Sequence, residues 1–271
     1  MGNNYYFCII KRITLILVLA FLTLSANAQF TDSGTGLLSC PSAKTYDSGT
    51  FFITNNYLNE KFLPPDGWDY SSFGYGFGIS FFSRLEVVYT CTLFWGDWSP
   101  HAQGPNGTYR EKIMKNQDRH LSAKVVLLKE NEFGLKWMPA IAVGARDIDA
   151  GMFSSHMDAS GGNGFFTCLY AVASKTFSTS IGEFSGHIGY QYNRRAAYRF
   201  NAPCAAVTWR PIWLENRWFN PKFIFEYDSR TPNIGFIADI WDSRFQAMFE
   251  LQNFQWISFG LRFKVRLKGS E

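Results

Sequence analysis

From residue 49 onward the chain alternates apolar and polar positions in segments of about ten residues, separated by turn residues. Period-two alternation is the signature of strands with one apolar face. The last segment shows it best. Ile257, Phe259, Leu261, Phe263, Val265 and Leu267 are apolar, and Ser258, Gly260, Arg262, Lys264 and Arg266 between them are small or cationic. Phe73, Tyr75, Phe77, Ile79 and Phe81 alternate in the same way with Gly74, Gly76, Gly78 and Ser80, so that the glycines leave room on the other face. The pattern predicts about twelve strands, near 49–58, 72–82, 84–95, 119–129, 138–147, 164–175, 181–192, 202–210, 220–228, 232–241, 244–252 and 255–266. An even count of hairpin-linked strands predicts an all-β fold, an antiparallel up-and-down transmembrane β-barrel. The connections 59–71, 96–118, 148–163 and 193–201 then fall at one end, and the shorter ones at Ser83, 130–137, 176–180 and Asp242-Ser243 at the other. The 211–219 connection is long for the short-turn end.

Which face carries the charge decides between a membrane barrel and a soluble β-sandwich or lipocalin-like barrel. The face opposite the aromatic one carries Glu86, Lys124, Arg146, Glu183, Lys222, Glu226, Asp239, Arg244, Glu250 and Arg262. A dry closed core would charge several kcal/mol for each unpaired ion, so the ionic face is expected to line a wet lumen and the apolar face to meet lipid. Composition agrees: 27 Phe, 9 Trp and 13 Tyr make the chain 18% aromatic, against only 18% charged residues. After residue 28 no run approaches the roughly 20 apolar residues of a spanning helix.

Residues 1–28 read as a secretory signal peptide, with Lys11 and Arg12 ahead of an apolar stretch Ile13 to Leu24 and a small-x-small site at Ala26-Asn27-Ala28. Loss of Lys11 and Arg12 lowers the formal charge by two, from +4 to +2, and nothing in the charge pattern implies nucleic acid. The expected organisation is therefore a signal peptide over 1–28, an irregular segment 29–48 in or under the lumen, and a barrel over 49–271, exported to a Gram-negative type outer membrane. Cys40, Cys91, Cys168 and Cys204 are widely spaced with no metal-ligand pattern. No metal or cofactor is expected, and a Cys40–Cys204 bridge is one pairing that an interior could allow.

Chemistry-bearing groups are sparse. His120 and Ser122 lie two apart on one strand face, a spacing that a barrel lipid hydrolase could use, but no orienting group accompanies them and no enzyme is expected. His101, His156 and His187 lack partners at metal spacing. Gly161-Gly162-Asn163-Gly164 precedes a strand and has no Lys after it, so it reads as a loop. Trp68, Tyr70, Trp98 and Tyr109 in the long connections suit sugar rings, which makes a surface glycan-binding or adhesin-like barrel the rival function; the plainer reading is an interfacial aromatic girdle. Within the lumen, Arg146, Glu226, Asp228, Lys175 and Tyr227 are the ligand candidates, with an internal salt-bridge network as the alternative.

The strings GLLSCPSAKTYDSGTFFITNNYLN (36–59), PAIAVGARDI (139–148), YAVASKTF (170–177) and FEYDSRTPNIGF (225–236) resemble successive blocks of the YjbH-like outer-membrane family of exopolysaccharide biosynthesis proteins. The positions that carry the resemblance are Pro41, Ala43, Gly49, Gly144, Arg146, Asp147, Tyr170, Ser174, Lys175, Glu226, Tyr227, Asp228, Asn233 and Gly235. The resemblance implies a non-enzymatic outer-membrane barrel in extracellular polysaccharide production or export. It further implies outer-membrane lipid, the polysaccharide and other secretion components of the cell envelope as partners.

Overall fold

The computed structural model describes residues 30, 33–62, 71–97, 112–148, 167–193 and 201–267. Twelve strands close into an antiparallel barrel: β1 (Thr50–Leu58), β2 (Ser72–Phe81), β3 (Leu85–Asp97), β4 (Lys112–Leu128), β5 (Ala140–Arg146), β6 (Cys168–Thr179), β7 (Gly182–Tyr192), β8 (Ala202–Pro211), β9 (Phe219–Tyr227), β10 (Pro232–Ile240), β11 (Phe245–Gln252) and β12 (Trp256–Arg266). Each strand pairs with its sequence neighbours, and β1 pairs with β12 to complete the cylinder. Closure satisfies the backbone groups that an open sheet would leave along its edges. No described helix is long and apolar enough to cross a membrane.

The twelve-strand up-and-down barrel expected from the alternation is thus the observed fold, with shifted boundaries. β3 and β4 are longer than predicted, running to Asp97 and from Lys112. The stretch Lys112 to Arg119 carries no apolar alternation, and its strand state follows from pairing with β3. β6 slides to Cys168–Thr179, leaving only 180–181 as its turn into β7.

One end of the barrel carries the turns 82–84, 129–139, 180–181, 212–218 and 241–244 together with the start of β1 and the finish of β12; we call it the turn end. At the other, the loop end, β1, β3, β5 and β7 finish, β2, β4, β6 and β8 begin, and the tight 228–231 and 253–255 connections lie. Phe82-Ser83 and Asn253-Phe254 have positive φ at both central positions, the mirror-image turn that follows the strand twist. At the turn end, Arg84 ion-pairs with Glu132 and so ties the β2–β3 turn to the β4–β5 connection. The Lys129 amide and the Arg84 guanidinium hold the Glu132 carboxyl below its ordinary range.

The burial pattern is inverted relative to a soluble barrel. Outward positions carry Phe77, Ile188, Val207, Phe225 and Ile257, each exposed. Inward positions carry Glu86, Lys124, Arg146, Glu226, Glu250 and Arg262, each at most 3% exposed. The inward glycines of β2 make space for what fills the interior: a Cβ on Gly78 would meet the Phe52 ring at 2.4 Å, and one on Gly76 would meet Ser33 at 2.8 Å.

Candidate functional site

The barrel interior is occupied by the chain's own residues 33–46, which form a plug held by the wall. An irregular segment cannot satisfy its backbone in a ladder, and buried N–H and C=O groups without partners are costly. The wall supplies partners of matching sign. On β9, the Glu226 carboxylate accepts three consecutive amide N–H groups, from Leu38 at 3.1 Å, Ser39 at 2.6 Å and Cys40 at 3.2 Å. On β11, Glu250 accepts the Ser39 hydroxyl at 3.1 Å, and on β3 Glu86 accepts the Thr35 amide at 2.6 Å.

Cations take the carbonyls. Lys124 on β4 donates to the Thr35 carbonyl while lying 3.7 Å from Glu86. Arg262 on β12 donates to the Ser33 and Gly34 carbonyls, and to the Tyr46 hydroxyl at 2.7 Å. Its guanidinium stacks over the Phe52 ring at 4.9 Å, a contact that gains when desolvated. On β5, Arg146 donates to Gln191 at 2.9 Å and to the Ser39 carbonyl at 3.4 Å. These are charge-assisted bonds, roughly twice as strong as neutral ones, and they account for part of the charged interior: Glu86, Lys124, Arg146, Glu226 and Arg262 all serve the plug backbone.

Two of the sequence candidates therefore meet at one plug residue, and a third is linked to them through Gln191. Glu226 and Arg146 grip the amide and the carbonyl of Ser39, and Gln191 links Arg146 to the Asp228 carbonyl, which it reaches at 3.3 Å. The Asp228 carboxylate caps its own turn, accepting the Thr231 amide at 2.8 Å.

The lumenal positions expected for Lys175 and Tyr227 are corrected. Both occupy the alternate register to the inward Ser174 and Glu226, so period two turns them outward. Tyr227 is exposed, and Lys175 folds onto the β4–β5 connection, pairing with Glu130 at 3.2 Å and bonding Asn131 at 2.6 Å. Trp68, Tyr70, Trp98 and Tyr109 lie outside the described residues. His120 and Ser122 both face inward and are buried, and the Ser122 hydroxyl accepts the Asp147 amide.

The four described cysteines are free thiols. The Cys40 thiol of the plug donates to the Tyr227 carbonyl at 3.1 Å and neighbours Cys204 of β8; burial, Cys204 and the Glu226 carboxylate push the Cys40 thiol well above its ordinary range. Proximity without a bridge is the outcome for the pair that the sequence singled out.

A feature that sequence reasoning missed lies nearer the turn end, between the plug and strands β7 to β12. Here a cavity of about 220 Å³ is lined by Lys44 and Tyr46 of the plug and by Glu183, His187, Arg210, Lys222, Asp239, Arg262 and Lys264 of the wall. Lys222, Asp239 and Arg262 stand among the inward charges of the sequence pattern, but only closure of the barrel gathers them in one place.

The family model YjbH, described as exopolysaccharide biosynthesis protein YbjH, matches residues 30–208, which include the plug and strands β1 to β7. No curated protein matches the chain. With more than half of its length matched and the closed barrel in place, the chain belongs to the YjbH family of exopolysaccharide biosynthesis proteins.

Proposed function

We propose that this protein is a non-enzymatic outer-membrane β-barrel that serves the production or export of an extracellular polysaccharide. The observation that carries the reading is the inverted distribution of the wall: large apolar side chains outward and paired ions inward, in a closed barrel. Such a surface in water would be an apolar patch far beyond the few hundred Å² of an ordinary soluble monomer, whereas lipid accepts it. The signal-like residues 1–28 are consistent with export, and family membership supports the polysaccharide connection.

The plug argues for an accessory or gated component over a standing pore. With residues 33–46 bonded to six charged wall residues, conduction requires that the segment be displaced or that the polymer act elsewhere on the protein. The test is deletion of the gene in its native host, with extracellular polysaccharide quantified. Loss of polymer, restored by the intact gene, is the expected result; unchanged polymer would contradict the reading.

A further inference from the structure

We infer that the turn-end cavity is a binding site for one acidic sugar unit, a hexose-sized ring bearing a carboxylate. Among its lining residues five cations, Lys44, Arg210, Lys222, Arg262 and Lys264, face two carboxylates, Glu183 and Asp239, which leaves a formal excess of three positive charges. Asp239 is already committed, pairing with Lys264 at 2.9 Å and with Arg210 at 3.4 Å. Lys222 forms no hydrogen bond or ion pair with any described residue; Asp239 attracts it, while Arg210, Lys44 and Lys264 surround it with like charge. Three cations, Lys222, Lys264 and Arg210, thus share the one Asp239 carboxylate, and the excess of positive charge makes a place for an anion.

A second group points the same way. His187 is only 6% exposed and its Nε2 has no hydrogen-bond partner. Its other nitrogen is engaged: the Ser174 hydroxyl, which accepts the Ala43 amide at 2.9 Å, lies 2.8 Å from Nδ1, and we assign its free proton to that bond. The bond at Nδ1 sets the tautomer, so Nε2 carries a proton and presents a donor to the cavity that it lines. The neutral imidazole lies beside the ammonium groups of Lys222 and Lys44, with Lys44 at the exposed side.

The remaining lining suits a sugar over a bare ion. Ser42, Thr45, Ser185 and Thr208 offer hydroxyls, and Ile237 and Leu37 offer apolar contact. About 220 Å³ falls below the roughly 300–1,000 Å³ of drug-sized pockets, so the cavity admits one ring and not a chain. The plug supplies Lys44, Thr45 and Tyr46, so a bound unit touches the plug and the wall together and couples occupancy to plug position.

The assignment of a sugar rests on the polysaccharide reading above, and the two fail differently. The experiment is calorimetric titration of the full chain in detergent with glucuronate, glucose and inorganic phosphate, repeated on Lys222→Met and His187→Phe. Glucuronate should bind at least tenfold tighter than glucose and tenfold tighter than phosphate, and each variant should weaken it at least fivefold. If Lys222→Met does not fold, Lys44→Met at the exposed mouth gives the same reading. Glucuronate binding no tighter than glucose, binding undiminished in the folded variants, or phosphate binding in place of glucuronate would each overturn the site. Failure here leaves the deletion phenotype intact, whereas glucuronate binding with unchanged polymer would strike the polysaccharide reading alone.

Discussion

Glu226 is the residue on which the plug depends most. It is fully buried and holds three successive amides of the plug apex, and bonds to a charged acceptor are worth roughly 1.5–3 kcal/mol each in net terms. Their sum is not additive, but removal of the carboxylate strands three donors at once. We predict that Glu226→Ala releases the apex and exposes Cys40, which is 1% exposed in the intact barrel. A maleimide reagent should label Cys40 slowly in the wild-type protein and at least tenfold faster in the variant; equal rates would show that the apex is held by something else. The chemical type of such residues was legible in the sequence, since Arg146, Glu226 and Asp228 stood on inward faces. Their partners were not, because the pairing of a wall charge on β9 with amides nearly 190 positions earlier leaves no local pattern. Lys175 and Tyr227 were misassigned for a simpler reason. They adjoin inward residues, and in a strand the adjoining position faces the other way.

At the level of elements, the strands were legible and the plug conformation was not. Alternation is a local property, and β2 and β12 print it most completely; β4 prints it only from His120 onward, so its first residues were missed. The plug has no period to read. Two predictions belong here. Cys40 and Cys204 are neighbouring free thiols across the plug–wall boundary, so a mild oxidant should join them in the folded protein. The product is an internal crosslink that Cys40→Ser abolishes, visible as a mobility shift on a non-reducing gel; no shift, with Cys40→Ser indistinguishable from wild type, would place the apex elsewhere. The second concerns the outer face. Ile188 lies mid-strand on β7 and is 67% exposed. Ile188→Arg should cost about 2–4 kcal/mol if that face meets the bilayer midplane, read from the shift in the denaturant midpoint of unfolding from vesicles. On a water-exposed face the same substitution stays within about 0.5 kcal/mol.

The whole molecule divides into three zones: an apolar belt facing outward, an ionic wall facing inward, and a plug that joins acid and base across the interior. The belt and the wall are consequences of one another, since a strand that presents Phe or Ile outward must present its next residue inward. The plug is what makes the ionic wall affordable, by giving its charges partners that bulk water would otherwise have to supply. A wall that carries its own filling also explains why the inward glycines cluster on β2, where Ser33 and Phe52 press against the backbone. The zone that no reading of the chain could assemble is the turn-end cavity, whose cations come from the plug, β8, β9 and β12 and meet only on closure.

The central claim, that the apolar belt is a lipid-facing surface, is tested most directly by refolding the full chain from denaturant with and without phospholipid vesicles. Strand content by circular dichroism and sedimentation report the outcome. The account predicts a β-rich, vesicle-bound protein when lipid is present and aggregation when it is absent. A β-rich monomer that stays dissolved in plain buffer would contradict it.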